Sequence, residues 1–160
     1  RRYVAIVEGW PEQSEGTVDA WIAENDQMTM YVCRPGQGKH AITHYKVARR
    51  NNGYAMLELE LDTGRKNQIR VHMKHIGHPL FSDEKYDGTE ILKGLPSQKY
   101  RQFIQNCFAL CPRQALHART LGFVHPRTGK WIQFDSPLPD DMTALIEKWR
   151  KYSASLIEQA

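Results

Sequence analysis

The chain of 160 residues has only three cysteines, Cys33, Cys107 and Cys111, too few and too oddly numbered for a disulfide framework. A reducing, cytoplasmic setting is expected from that usage. No apolar run approaches the ~18 residues that a membrane span needs. No signal peptide is visible either, so no membrane partner is expected. No repeat or low-complexity segment stands out. The glycine-rich loop at 34–39 lacks the spacing and the Lys-Ser/Thr pair of a nucleotide-binding loop. Cys107 and Cys111 have no second cysteine or histidine pair at a ligand spacing, so no metal is expected. Charge of one sign is not extreme: the formal net charge is +4, compatible with nucleic acid but no proof of it.

What remains is the composition of a folded globular chain, 41% hydrophobic and 25% charged, with one domain's worth of residues. Arg1 leads almost at once into a strand, and a segment of something longer is the expected reading. Residues 3–8 are apolar and β-rich and end at Gly9-Trp10-Pro11. Residues 15–22 read as a turn into a second short strand, and 25–31 as a turn and a strand with Met28 and Met30 on one face. Ala41, Thr43, Tyr45 and Val47 alternate with Ile42, His44 and Lys46. The Asn52-Gly53 turn then joins this strand to another at 54–61 as a hairpin. Lys46, Arg49 and Arg50 near the hairpin end are a solvated rim or, on the sharper reading, a track for RNA phosphates. Gly94-Leu95-Pro96-Ser97 is a break, with Ser97 placed to cap a helix over 98–106. A second hairpin is expected around the Thr128-Gly129 turn. A last helix begins after Pro139 with Met142, Leu145, Ile146 and Trp149 as its apolar stripe, and the polar tail after Tyr152 is expected to fray.

The stretch 62–77 organises the rest. Thr63-Gly64 breaks the alternation of the preceding strand, and a short helix over 66–76 comes next, ending on Gly77 before His78-Pro79. Ile69, Met73 and Ile76 share one stripe and face the core. Arg65, Gln68, Arg70 and His72 gather near the start of that helix. Two guanidiniums beside helix N-terminal amides suit an anion, or a carboxylate held ionised.

Residues 63–72, Thr-Gly-Arg-x-x-Gln-Ile-Arg-Val-His, strongly resemble the signature of the RluA-type RNA pseudouridine synthases. Histidine is usual there where this chain has Asn67. Further matches occur in the family's order. Arg1, Tyr3, Ala5, Val7 and Gly9 resemble its Lys-x-Tyr-x-Ala-x-Val-x-Gly segment, and Gly38, Ala41 and Thr43 its Gly-x-x-Ala-x-Thr. Asp83 and Tyr86 fit Gly-Asp-x-x-Tyr-Gly, with Ser82 in place of the glycine and an extra Asp87 before Gly88. Leu116-His117-Ala118, Leu121, Phe123, His125-Pro126 and Thr128-Gly129 match a last segment.

The resemblance implies an α+β fold, a mixed and largely antiparallel sheet with packed helices, incomplete at the N-terminus. It implies that residues 1–160 are one segment, the C-terminal part of a catalytic domain. The implied reaction turns uridine into pseudouridine in structured ribosomal or transfer RNA, with no cofactor. Tyr3 would stack on the target base and Leu116 would floor its pocket. Arg70 would pair with the catalytic aspartate, making Arg70 and Tyr3 the catalytic residues of this chain. Arg65, Gln68, Ile69 and His72 are the implied substrate contacts. Asp83 is expected to brace its loop or pair with a nearby cation. The family's aspartate lies in an Arg-Leu-Asp-x-x-Thr-Ser-Gly segment that is absent here, and Asp62 belongs to the other motif. The chain by itself is therefore expected to be inactive. It is also expected to dimerise or swap elements if it leaves a strand edge uncovered. Two rival readings stand beside this one: a non-catalytic RNA-binding module of the same fold, and a purely structural or interaction domain.

Overall fold

Apolar-polar alternation along the first half of the chain builds a sheet, and its most continuous apolar run lies innermost. The computed structural model describes residues 1–51, 53–89 and 98–159. The strands in chain order are β1 (Arg2–Glu8), β2 (Glu15–Asp19), β3 (Ile22–Glu24), β4 (Met30–Val32), β5 (Ile42–Asn51), β6 (Tyr54–Leu61), β7 (Leu116–Val124) and β8 (Trp131–Asp135). The helices are α1 (Gln68–His75), α2 (Gln98–Leu110) and α3 (Asp140–Gln159), with a 3-10 turn at Glu84–Tyr86. Six strands form one sheet in the order β2-β5-β6-β1-β7-β8, and β3 and β4 form a separate ribbon.

Strand β1 is buried on both faces. Val4 and Ile6 join the cluster that α2 and α3 cover, and Ala5 and Val7 join the cluster under α1. A strand covered on both sides has no polar face to show, which is why residues 4–7 read as unbroken hydrophobics. Helix α1 inserts Ile69 and Met73 into its cluster. Burial of each such side chain stabilises by roughly 1.5–3 kcal/mol. On the other face Trp149 of α3 is the keystone, packed on Tyr54 and Phe103 with ring centroids 4.6 and 4.7 Å away.

Several expectations need correction. Every pairing among the described residues is antiparallel, so the sheet has no parallel component there. Met28 is not a strand residue. The Asn25 carboxamide accepts from Gln27 N and Thr29 N, and the tight turn this makes leaves Met28 at φ 61 and largely exposed. Helix α2 continues to Leu110, beyond 106, and its expected cap, Ser97, lies outside the described residues, as does Asn52 of the first hairpin. Helix α3 spans Asp140–Gln159.

Two bulges decide which side chains share a face of the sheet. In β5 the register shifts between Val47 and Arg49, and in the β1–β7 pair it shifts between Arg2 and Tyr3. Each reverses which face the later side chains occupy.

Candidate active site

Helix α1 is fixed to the sheet by a chain of hydrogen bonds that runs inward. Ile42 N donates to Thr63 Oγ1 (2.9 Å), whose hydroxyl donates to Gln68 Oε1 (2.7 Å). Arg65 N donates to the same Oε1 (3.1 Å), while Gln68 Nε2 donates to Ile42 O and Thr43 Oγ1 (both 2.9 Å). The Thr43 hydroxyl faces His72 Nδ1 at 2.8 Å, and His72 Nε2 lies 3.0 Å from Ala20 O. A carbonyl only accepts, so the proton of a neutral His72 sits on Nε2 and Nδ1 accepts from Thr43. Burial lowers the His72 pKa below its ordinary value, ahead of a smaller upward pull from the Ala20 carbonyl.

Three of the expected substrate contacts lie inside the fold. Gln68 and His72 are buried with their polar atoms engaged inside the fold, and Ile69 is buried in the core. They hold the helix against the sheet. Arg65 differs: it is exposed, its Nε donates to His40 O (3.0 Å), and its outer nitrogens have no partner among the described residues.

Arg70, one turn into the motif, is held on three sides. Its Nε and Nη2 donate to the two oxygens of Asp83 at 2.9 and 2.7 Å, a bidentate pair with the carboxylate wholly buried. Its Nη1 donates to Asn67 Oδ1 (3.3 Å), and its guanidinium carbon lies 4.8 Å from the centre of the Tyr86 ring. Tyr86 is itself pinned, since its hydroxyl accepts from Asn67 Nδ2 and Met30 N, both at 3.1 Å. The hydrogen bond to Asp83 raises the Arg70 pKa, so the guanidinium stays charged. A guanidinium has five N–H donors. Three are engaged here and two have no partner among the described residues, and 16% of the side chain reaches solvent.

Asn67 and Tyr86, which the sequence offers only as motif positions, are the partners that hold Arg70 together with Asp83. Asn67 sits at φ 53 and leaves the helix uncapped, because its amide is turned to Arg70 and Tyr86. Asparagine tolerates that backbone better than most residues. Asp83 is set by the loop after Pro79. Its N donates to Leu80 O (3.2 Å), and Gly88 N donates to its carbonyl (2.6 Å). A Cβ at Gly88 would lie 1.8 Å from Leu80 O, so that approach requires glycine.

Tyr3 and Leu116 come together on the α1 face. Tyr3 pairs with Ala118, and Ala5 pairs with Leu116, which makes Tyr3 and Leu116 diagonal neighbours on adjacent strands. Both are half-buried against the cluster that contains Ile69 and Leu80. Ala115 N donates to Phe81 O (3.0 Å), which ties the start of β7 to the loop that carries Asp83. The result is an apolar side chain and an aromatic ring packed against the helix that carries Arg70.

The expected phosphate track is not one surface. Val4 pairs with Glu58, which pairs with Lys46, and Arg49 pairs with Met56, so Lys46 and Arg49 lie on the α2–α3 face. Arg50 pairs with Ala55 and lies on the α1 face. Lys46 is also flanked across the strands by Glu15 and Glu58. It borders a concavity of about 510 Å³ that includes Arg2, Glu60 and Arg119 and whose acids and bases offset one another. Among the described residues no group of His, Cys, Asp and Glu could hold a metal ion, and no helix is long and apolar enough to cross a membrane.

Comparison with known proteins fits this geometry. Residues 1–75 match the family model described as RNA pseudouridylate synthase. The chain is 42% identical over 153 residues to a Bacillus subtilis protein described as the uncharacterized RNA pseudouridine synthase YlyB, covering 94% of this chain and 44% of that one. It is 39% identical over 147 residues to the ribosomal large subunit pseudouridine synthase D of Haemophilus influenzae, covering 91% of this chain and 44% of that one. Among solved structures, human RNA pseudouridylate synthase domain containing 4 superposes with a TM-score of 0.70 at 26% identity, covering 93% of this chain and 61% of that chain. The chain thus spans a little under half the length of these curated relatives.

Proposed function

We propose that this chain belongs to the RluA-type RNA pseudouridine synthase family and that the full-length protein isomerises uridines of structured RNA to pseudouridine. In this reading the chain is the C-terminal part of the catalytic domain, and the RNA is ribosomal or transfer RNA. The observation that carries it is Arg70: a guanidinium clamped by Asp83, Asn67 and Tyr86, on the helix whose Ile69 packs in one cluster with Tyr3 and Leu116.

The chemistry makes two demands that these residues suit. The glycosidic bond of the target must break and re-form through carbon, so the base has to leave its stack and stay enclosed while it turns. Tyr3 offers an aromatic face to the extruded base and Leu116 an apolar floor. The sugar must be worked on by an ionised carboxylate, as nucleophile or base. The two open donors of Arg70 receive that carboxylate and favour its charged form near neutral pH. No aspartate of this chain fills the role: Asp83 already occupies the far edge of Arg70, and Asp62 is exposed and paired with His44 at 2.7 Å. The aspartate comes from a part of the protein outside this chain, and the chain alone is inactive. Arg65 and Arg50 are the cations on this side that the RNA backbone would meet, and the three free cysteines suit a reducing cytoplasm.

The test is mass-resolved pseudouridine formation on cellular RNA by the full-length protein. Activity that Arg70→Ala abolishes supports the reading. A folded, RNA-binding protein with no activity would move the assignment to a non-catalytic RNA-binding module.

A further inference from the structure

A second arginine has its donors directed at the backbone that delivers Leu116. Arg113 stands in the link between α2 and β7. Its Nε and Nη2 donate to the two oxygens of Asp141 at 2.8 and 2.9 Å, and Asp141 belongs to the first turn of α3. Its Nη1 donates to Gln114 O at 3.0 Å and to Leu116 O at 3.1 Å. The Arg113 hydrogen bond lowers the Asp141 pKa, which keeps the anchor ionised.

Leu116 needs that support because of where it lies in the sheet. It is the first residue of β7 and pairs with Ala5 of β1 on one side. On the other side β8 pairs with β7 only from Thr120 to Val124. The backbone at Leu116 therefore has one neighbouring strand, and Arg113 takes the place of a second. The bond from Leu116 N to Gln114 O (2.9 Å) folds the same three residues into a tight turn, which the guanidinium closes from outside.

We propose that Arg113, anchored by Asp141, is a positioning residue that sets Leu116 against Tyr3 and so fixes the floor of the base pocket. The inference rests on the proposed role of Tyr3 and Leu116 as that pocket. Arg113 touches no substrate in this arrangement and acts through Leu116.

The experiment is a double-mutant cycle in the full-length enzyme, read as kcat and KM for pseudouridine formation on RNA. Arg113→Ala and Leu116→Ala each lower kcat by about tenfold to a hundredfold, the range expected for a misplaced pocket wall, with KM for RNA little changed. The double variant is no worse than Leu116→Ala alone, because Arg113 has nothing left to position. Asp141→Asn, close in shape to the native residue, lowers kcat in the same direction by less and serves if Arg113→Ala does not fold. Losses that multiply in the double variant would overturn the inference, as would full kcat in both Arg113→Ala and Asp141→Asn. Unchanged activity in Arg70→Ala and Leu116→Ala would instead remove the pocket reading on which it rests.

Discussion

Arg70 and Asp83 form a buried ion pair whose two halves are unequally exposed, and that asymmetry predicts unequal costs. Asp83 is wholly buried, while 16% of the Arg70 side chain reaches solvent. Replacing Arg70 by Met leaves a carboxylate in the core without its two charge-assisted bonds. Removing one partner of a buried pair costs about 3–5 kcal/mol. Replacing Asp83 by Asn leaves a guanidinium that still stacks on Tyr86 and still reaches water and Asn67. A lost hydrogen bond to a charged group costs about 1.5–3 kcal/mol, so Asp83→Asn is the milder change. Replacing both partners, as Arg70→Met with Asp83→Leu, recovers part of the loss because no charge is stranded. Urea unfolding at neutral pH measures all three as shifts in midpoint at constant slope. An Asp83→Asn variant as unstable as Arg70→Met, or a double variant less stable than either, would refute this reasoning. Restored stability without pseudouridine formation in the double variant would separate the structural use of the pair from its use in the reaction.

Other consequences can be checked singly. The lowered pKa of His72 makes the fold lose stability with acid. The contribution is complete above the ordinary histidine value near 6.5, and it declines as pH falls from there toward the depressed folded value. Urea midpoints between pH 7 and 5 should follow that slope, and His72→Gln should flatten it. Ser82 adopts φ 63, where glycine is at ease, so Ser82→Gly should raise stability by about 0.5–1 kcal/mol, and a loss on thermal unfolding would contradict that. The β7–β8 hairpin exposes Leu121, Phe123 and Phe134, and β8 is an edge of the sheet. The isolated chain should therefore self-associate with concentration in light scattering, and Phe134→Lys should weaken it; a concentration-independent monomer would argue against an uncovered face.

Much of this architecture is legible in the sequence because it depends on short-range pattern. The alternation at 41–47 places Thr43, Tyr45 and Val47 on one face and His44 and Lys46 on the other, as their partners in β6 confirm. The stripe Ile69, Met73 faces the core as expected. What pattern does not carry is longer-range. Nothing in the motif shows that Gln68 and His72 both bond to Thr43, 25 and 29 positions earlier. Lys46, Arg49 and Arg50 look like one basic track, yet the bulge after Val47 moves Arg49 to the face of Lys46 and Arg50 to the opposite one. The cage around Arg70 joins Asn67, Asp83 and Tyr86, of which the sequence suggests only a cation for Asp83. The clamp of Arg113 on Asp141 closes over a separation of 28 residues with no local signal at all.

On the proposed function this chain holds half of an active site, and Arg70 receives a carboxylate from elsewhere in the protein. The most direct measurement compares pseudouridine formation on the same RNA by the full-length protein, by its Arg70→Ala variant and by this 160-residue chain. The predicted result is activity in the full-length protein alone. Activity in the isolated chain would contradict it and would place the nucleophile among the chain's own carboxylates, with Asp62 and Asp83 the first to replace.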